Sequence, residues 1–152
     1  MKKPVTRPME AHLGYWLRLV SNHVSQAFAR KVEAHGVTVA EWVVLRELFE
    51  KDDVAPSALA ARLGVTRGAV SKLAERLAAK SLIAIEAGEE DRRTQTLHLK
   101  PSGRRLVPLL YALADRNDAE FFGHLKAVER EGLATTLQGI AQKRKLRAVP
   151  LK

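Results

Sequence analysis

Between residues 12 and 34, apolar positions recur every three or four places. Leu13, Trp16, Leu17, Val20, Val24, Ala27, Phe28 and Val32 make one stripe of a helix that Gly36 closes. Thr38 followed by Glu41 reads as a capping box opening a second helix through Trp42, Leu45, Leu48 and Phe49. Pro56 suits the first turn of a third, shorter helix. The helical spacing continues through Leu59, Leu63, Val70, Leu73 and Leu77 with one interruption at Gly64, where a left-handed residue can end one helix. Thr66 is then placed to cap the next. Two helices joined by so short a turn must approach closely, and Ala60 supplies a small contact position.

From Leu82 the period changes to two. Ile83 and Ile85 before residues 87–95, and Leu97 and Leu99 after them, predict strand, turn, strand. The connection is too polar for a core and too long for a two-residue turn, so it should project outward. Pro101 marks another helix start, and Leu106, Leu109, Leu110, Leu113, Phe121 and Phe122 extend its apolar face to Gly123, with a kink expected at Pro108. A last helix from about Val128 uses Leu133, Leu137 and Ile140. The expected fold is mainly α: a winged helix-turn-helix with a two-stranded β wing, flanked by long N- and C-terminal helices.

If Val70, Leu73 and Leu77 face inward, then Arg67, Gly68, Ser71, Lys72, Glu75 and Arg76 lie on the outer face. Helices of this motif enter the DNA major groove N-terminus first, where the helix dipole also favours phosphates, so Thr66, Arg67 and Ser71 are placed to touch base edges. Gly68 and Ala69 would let the backbone come close. Arg67 donating two hydrogen bonds to a guanine edge would discriminate by roughly 1–3 kcal/mol, whereas Lys72 and Arg76 suit phosphates. Arg92 and Arg93 fall at the tip of the wing, where a guanidinium is favoured in a narrow minor groove, and Asp91 is the candidate to hold the Arg93 side chain. Glu86, Glu89 and Glu90 argue that placement, not bulk charge, is the point of the wing.

Composition narrows the field. With 152 residues and 46% hydrophobic content, residues 1–152 make one domain with a real core. A net charge of +9 suits a polyanionic partner. Much of it lies at the ends, in Lys2, Lys3 and Arg7 and in Lys143, Arg144, Lys145 and Arg147, which leaves open a second reading as a nonspecific architectural nucleic-acid binder driven by basic tails. The absence of cysteine excludes disulfides, thiolate metal sites and thiol-based peroxide sensing. No apolar run is long enough to span a membrane and no signal-peptide pattern opens the chain, so the expected compartment is the cytoplasm. There is no nucleophile–base pairing, phosphate-cradling glycine loop or metal spacing, so neither an enzyme nor a cofactor is expected. His12, His23, His35, His98 and His124 show no local ligand spacing, and a metal site would need folding to assemble it.

The order of elements, with VTVAEWVVLREL at 37–48, LAARLGVTRGAVSKLAERL at 59–77 and EEDRRTQTLHLKPSGR at 89–104, resembles the MarR family of bacterial transcriptional regulators over residues 12–143. The resemblance implies a winged helix-turn-helix at 38–100 and dimerisation helices at 12–34 and 102–143. Arg93 would be the minor-groove residue positioned by Asp91. The flanking helices also carry more apolar surface than the reading head needs, which a homodimer would explain. Two recognition helices would then lie about 34 Å apart and read a pseudo-palindromic operator in double-stranded DNA.

Members of that family usually repress transcription and are released by small, often phenolic or otherwise anionic ligands. The family's effector pocket lies where the first, second and fifth helices meet, and the matching residues are His12, Tyr15, Trp16, Trp42, Arg46 and Tyr111. Aromatic walls with one or two polar groups would suit a flat anion. Trp16 and Trp42 also sit at helical core spacing, so a purely volume-filling role stays open. Two positions depart from the family pattern: Ser81 stands where a glycine commonly ends the recognition helix, and Lys100 where a threonine commonly caps the helix after the wing.

Overall fold

Reciprocal hydrogen bonds start the second helix as its sequence predicts. Thr38 Oγ1 accepts from the Glu41 amide at 3.1 Å, and Glu41 Oε1 accepts from the Thr38 amide at 3.2 Å. The computed structural model describes residues 6–91, 93–147 and 150–151. A short 3-10 helix, Met9–Ala11, precedes α1 (Leu13–Glu33), α2 (Val39–Glu50), α3 (Pro56–Leu63), α4 (Arg67–Ala79), β1 (Ile83–Ala87), β2 (Gln95–Leu99), α5 (Pro101–Phe122) and α6 (Ala127–Lys143). Gly64 ends α3 with φ +69°, and the Thr66 hydroxyl accepts from the Ala69 amide at 3.1 Å to open α4.

The two strands pair antiparallel from Ile83 opposite Leu99 to Ala87 opposite Gln95, so the ladder takes in both ends of the segment expected to be loop. Val54 adds a bridge that local periodicity does not reveal. Its amide and carbonyl exchange hydrogen bonds with Leu97 at 3.0 and 2.8 Å, fastening the α2–α3 connection to the wing's base.

The core lies beneath α4 and the strands. Trp42, Leu45 and Leu48 of α2, Leu59 and Leu63 of α3, Val70, Leu73 and Leu77 of α4, Ile83, Leu97 and Leu99 of the strands, and Val107 and Leu110 of α5 form one buried cluster. Burying a leucine side chain contributes about 1.5–3 kcal/mol, so this cluster is what sets the orientation of α4. Asn117, buried on α5, joins α5 to α1. Its Oδ1 accepts from Lys31 Nζ at 2.9 Å, and its Nδ2 donates to the Val24 carbonyl at 3.1 Å.

The stripe read along α1 divides in two. Ala27 and Val32 are buried and Val24 and Phe28 half-buried, whereas Leu13, Trp16, Leu17 and Val20 are exposed, with only the short 3-10 helix against that half of α1 among the described residues. Leu133, Leu137 and Ile140 of α6 are exposed as well, and α6 buries no residue. On α5, Leu109 points outward, unlike its neighbours Leu106, Leu110 and Leu113. The helix runs continuously through Pro108. Among the described residues no helix is long and apolar enough to cross a membrane.

Candidate nucleic-acid interface

The outer face of α4 stands free. Thr66, Arg67, Gly68, Lys72 and Arg76 are exposed and Ser71 is half-buried, while Val70, Leu73, Ala74 and Leu77 face the core. Among the described residues Arg67, Lys72 and Arg76 enter no ion pair and no side-chain hydrogen bond. Gly68 has open space around it: a Cβ built there would come no nearer than 4.0 Å to any atom outside its own turn, and that atom is the Thr66 hydroxyl. A glycine inside a helix costs about 1 kcal/mol relative to alanine, and nothing within the fold requires it at this position.

Asp91 organises the wing tip through the backbone. Its Oδ1 accepts from the Arg93 amide at 3.0 Å, and its carbonyl accepts from both the Thr94 amide at 3.0 Å and the Thr94 hydroxyl at 2.7 Å. The Arg93 guanidinium is farther off, with Nε 3.7 Å from the same Asp91 oxygen, and its side chain is 95% exposed. Such a pair adds little stability but biases where the side chain points. The Gly88 amide donates to the Thr94 carbonyl at 2.8 Å, and a Cβ at Gly88 would overlap the Thr94 side chain, so this glycine is required by the turn itself. Arg92, expected beside Arg93, lies outside the described residues.

At the wing's base, His98 sits between two carboxylates. Its Nδ1 is 3.7 Å from Asp53 and its Nε2 is 3.6 Å from Glu86, with Nδ1 buried and making no hydrogen bond. No group of three or more metal-ligating side chains is assembled among the described residues.

The six aromatic and basic residues matched to a ligand pocket fall into two groups within one chain. His12, Tyr15 and Trp16 are exposed at the start of α1, where Tyr15 meets Trp16 edge-on at 5.1 Å and Trp16 Nε1 donates to the Glu10 carbonyl at 2.8 Å. His12 and Tyr15 border a recess of about 430 Å³. Trp42, Arg46 and Tyr111 form the second group: Trp42 meets Tyr111 edge-on at 4.8 Å, and the Arg46 guanidinium lies 5.9 Å from the Trp42 ring centre. Trp42 and Arg46 border a separate cavity of about 230 Å³ between α1 and α2, whose other walls are Val24, Ser25, Phe28, Val39, Val43 and Pro150. Trp42 is buried and contributes to the core, whereas Trp16 is half exposed and fills no volume within this chain. Burial, and then the neighbouring Glu50 carboxylate to which its hydroxyl donates at 3.3 Å, push the Tyr111 phenol above its ordinary pKa.

This arrangement has counterparts among known proteins. The sequence model of the MarR family matches residues 35–94, which run from the turn before α2 through the wing tip. A Thauera aromatica protein assigned as a transcriptional regulatory protein for the hcr operon is 29% identical over 131 residues, spanning 86% of this chain and 79% of that one. The structure of Bordetella bronchiseptica BpsR, from work on regulation of its DNA binding by 6-hydroxynicotinic acid, superposes with a TM-score of 0.75 at 24% identity, covering 90% of this chain and 97% of that one. The DNA complex of Staphylococcus aureus MepR gives 0.75 at 24% identity, covering 87% and 98%.

Over residues 35–94 the chain is similar to the MarR family.

At Ser81 and Lys100, the two positions expected to depart from the family pattern, the structure shows how each residue is accommodated. Ser81 adopts φ +58°, the left-handed conformation for which a glycine would be the unstrained choice, at a cost of roughly 1–2 kcal/mol. Its carbonyl accepts from the Ser102 hydroxyl at 2.6 Å, and the next carbonyl, Leu82, accepts from the Lys100 amide at 3.0 Å. Lys100 provides no side-chain cap to α5, so these bonds to the end of α4 locate the helix start instead. Gly103 completes the junction: a Cβ there would overlap the Leu82 carbonyl oxygen.

The contact that sequence reading missed is at the other side of α4. Lys80 Nζ donates to both carboxylate oxygens of the buried Glu41, at 2.7 and 3.0 Å, and to the Gly36 carbonyl at 2.8 Å. Glu41 was legible as the third residue of a capping box. Nothing in the local pattern shows that its carboxylate also holds the end of α4.

Proposed function

We propose that the chain acts as a homodimer on a pseudo-palindromic operator, as a repressor released by a small aromatic or anionic ligand. The observation that carries the reading is the outer face of α4, where Arg67, Lys72 and Arg76 project from a helix whose opposite face is locked into the core. Thr66, Arg67 and Ser71 would address base edges, Gly68 would let the helix backbone come close to the DNA, and Lys72 and Arg76 would hold phosphates. Asp91, Arg92 and Arg93 would address the minor groove from the wing, with the Asp91 turn presenting Arg93.

Dimerisation is supported by two uncovered apolar stripes, Leu13, Leu17 and Val20 on α1 and Leu133, Leu137 and Ile140 on α6, each at i, i+4, i+7 spacing. Pairing them across a two-fold axis would bury both. A ligand role for the Trp42–Arg46 cavity is supported by its aromatic wall and single cation, and by the 6-hydroxynicotinic acid that bears on BpsR.

Selecting bound fragments from a library of random DNA, then measuring binding of the selected sequence with and without Arg93→Ala, tests the proposal. A pseudo-palindrome whose affinity falls strongly in the variant while its melting temperature holds would support it. Retention of all sequences alike, through salt-sensitive contacts of the basic tail, would favour a nonspecific binder.

A further inference from the structure

A recess of about 540 Å³ opens between the C-terminal halves of α1 and α5, and none of its walls comes from α4 or the strands. Ala27, Arg30, Lys31 and Ala34 border it at i, i+3, i+4 and i+7, one face of a helix, and Arg116, Glu120 and Phe121 border it from α5. The two alanines leave room between the longer side chains. Three cations against one carboxylate give the walls a formal charge of +2. The recess lies at the opposite end of α1 from the exposed Leu13, Leu17 and Val20, and it shares no residue with the Trp42–Arg46 cavity.

Holding the two helices together accounts for only one of those cations. Lys31, whose side chain is 12% exposed, donates to Asn117 Oδ1 at 2.9 Å and to Glu120 Oε2 at 2.7 Å, and so joins α1 to α5. Arg116 approaches Glu120 only at 3.4 Å, from within the same helix, and is exposed. Arg30 is exposed and, among the described residues, enters no ion pair and no side-chain hydrogen bond. Three like charges around one carboxylate repel one another, and a further anion would relieve them. The Glu120 carboxyl registers the excess. The hydrogen bond from Lys31, then the charges of Lys31 and Arg116, hold it below its usual pKa against partial desolvation.

We propose that this recess is an anion site of its own, one that takes the phosphoryl group of inorganic phosphate or of a small phosphate monoester. Such a group carries a charge of about −1.5 to −2 at neutral pH, which matches the excess on the walls. Guanidinium groups present paired N–H donors that fit phosphate oxygens, and an ammonium already holding two acceptors has a third N–H to give. With Arg30 of α1 and Arg116 of α5 on its oxygens, the phosphoryl group would bridge the two helices beside Lys31. The Phe121 ring would lie against the substituent of an ester. The site uses no residue assigned to DNA or to the Trp42–Arg46 cavity.

Calorimetric titration of inorganic phosphate and of phenyl phosphate into the native chain, with chloride holding the ionic strength constant, reads the site directly. Saturable binding of at least one of them at one site per chain is expected. Arg30→Gln and Arg116→Gln, both at exposed positions, should each weaken it about tenfold, and Arg105→Gln, at an exposed position on α5 outside the recess, should leave it unchanged. Glu120→Gln should tighten it about threefold or more, because the walls then carry +3. A carboxylate that served only to join the helices would give the opposite sign. Either ligand binding the tighter supports the proposal and names its source: phenyl phosphate an ester, inorganic phosphate the free anion. No saturable binding, affinity untouched by Arg30→Gln and Arg116→Gln, or Glu120→Gln binding no tighter than the native chain would each overturn it, as would an equal loss in Arg105→Gln.

Discussion

Lys80, the residue that ends α4, grips both carboxylate oxygens of Glu41 in the first turn of α2, where the Glu41 side chain is 1% exposed. The same ammonium reaches the Gly36 carbonyl in the turn between α1 and α2. One side chain thus ties the end of α4 to the helix that borders the cavity, two residues away from Val39 and next to Trp42.

Removing that grip should be costly. Lys80→Met would leave a buried carboxylate holding only its bond to the Thr38 amide, and breaking a fully buried pair costs about 3–5 kcal/mol. Lys80 is itself 39% exposed, so water relieves part of this and a loss of about 2 kcal/mol is expected. Glu41→Gln keeps the cap and one hydrogen bond from Lys80, and should cost only about 1 kcal/mol. Urea denaturation of the two variants measures both; equal losses would mean that leaving the Glu41 carboxylate buried and unpaired carries no penalty of its own.

Gly68→Ala should separate stability from binding. The position has room for a Cβ and sits inside a helix, so the variant should be more stable by about 0.5–1 kcal/mol. If the backbone at Gly68 approaches DNA, the same methyl group should weaken operator binding several-fold. Thermal melting beside a binding isotherm decides it, and a variant that gains stability with unchanged affinity would show that Gly68 has no part in recognition.

At the junction between α4 and α5, Gly103→Ala should destabilise the protein by about 2 kcal/mol, because the added carbon would overlap a backbone carbonyl that cannot retreat without shifting the start of α5. Gly14 and Gly132, each with nothing near the position of an added Cβ, are the controls. Alanine there should be neutral or mildly stabilising by denaturant titration.

The hydrogen bond from Lys31, reinforced by its charge and that of Arg116, holds the Glu120 carboxyl below its usual pKa despite partial desolvation. A depressed carboxylate adds stability that is present above its unfolded pKa and disappears as pH falls through the folded one. The melting temperature of the native chain should therefore exceed that of Glu120→Gln at about pH 7, with the gap closing toward about pH 3. A gap that persisted at the acid end would assign the effect to packing.

Local chemistry made much of this fold legible. Thr38, Gly64, Thr66 and Pro101 each mark a boundary through hydrogen bonds or dihedrals set within a few residues, and Leu59, Leu63, Val70, Leu73 and Leu77 are buried as their spacing implies. The partners that were not legible are those that meet only in three dimensions. Val54 bridges Leu97, Glu41 receives Lys80, and Asp53 and Glu86 flank His98, with no periodic signal linking any of them. The aromatic residues show the same limit. Spacing placed Trp16 and Trp42 alike, yet one is half exposed on an uncovered helix end and the other is buried against Tyr111.

The central claim is that the free face of α4 and the Asp91–Arg93 turn read sequence. Its most direct measurement is competition between a selected operator and random DNA at physiological salt, for the native chain and for Arg67→Ala. The native chain should prefer its operator by roughly 10³-fold or more, and Arg67→Ala should lose about 1–3 kcal/mol of that preference, mostly at one base pair in each half-site. Equal affinity for operator and random DNA, or a preference untouched by the loss of Arg67, would contradict the account.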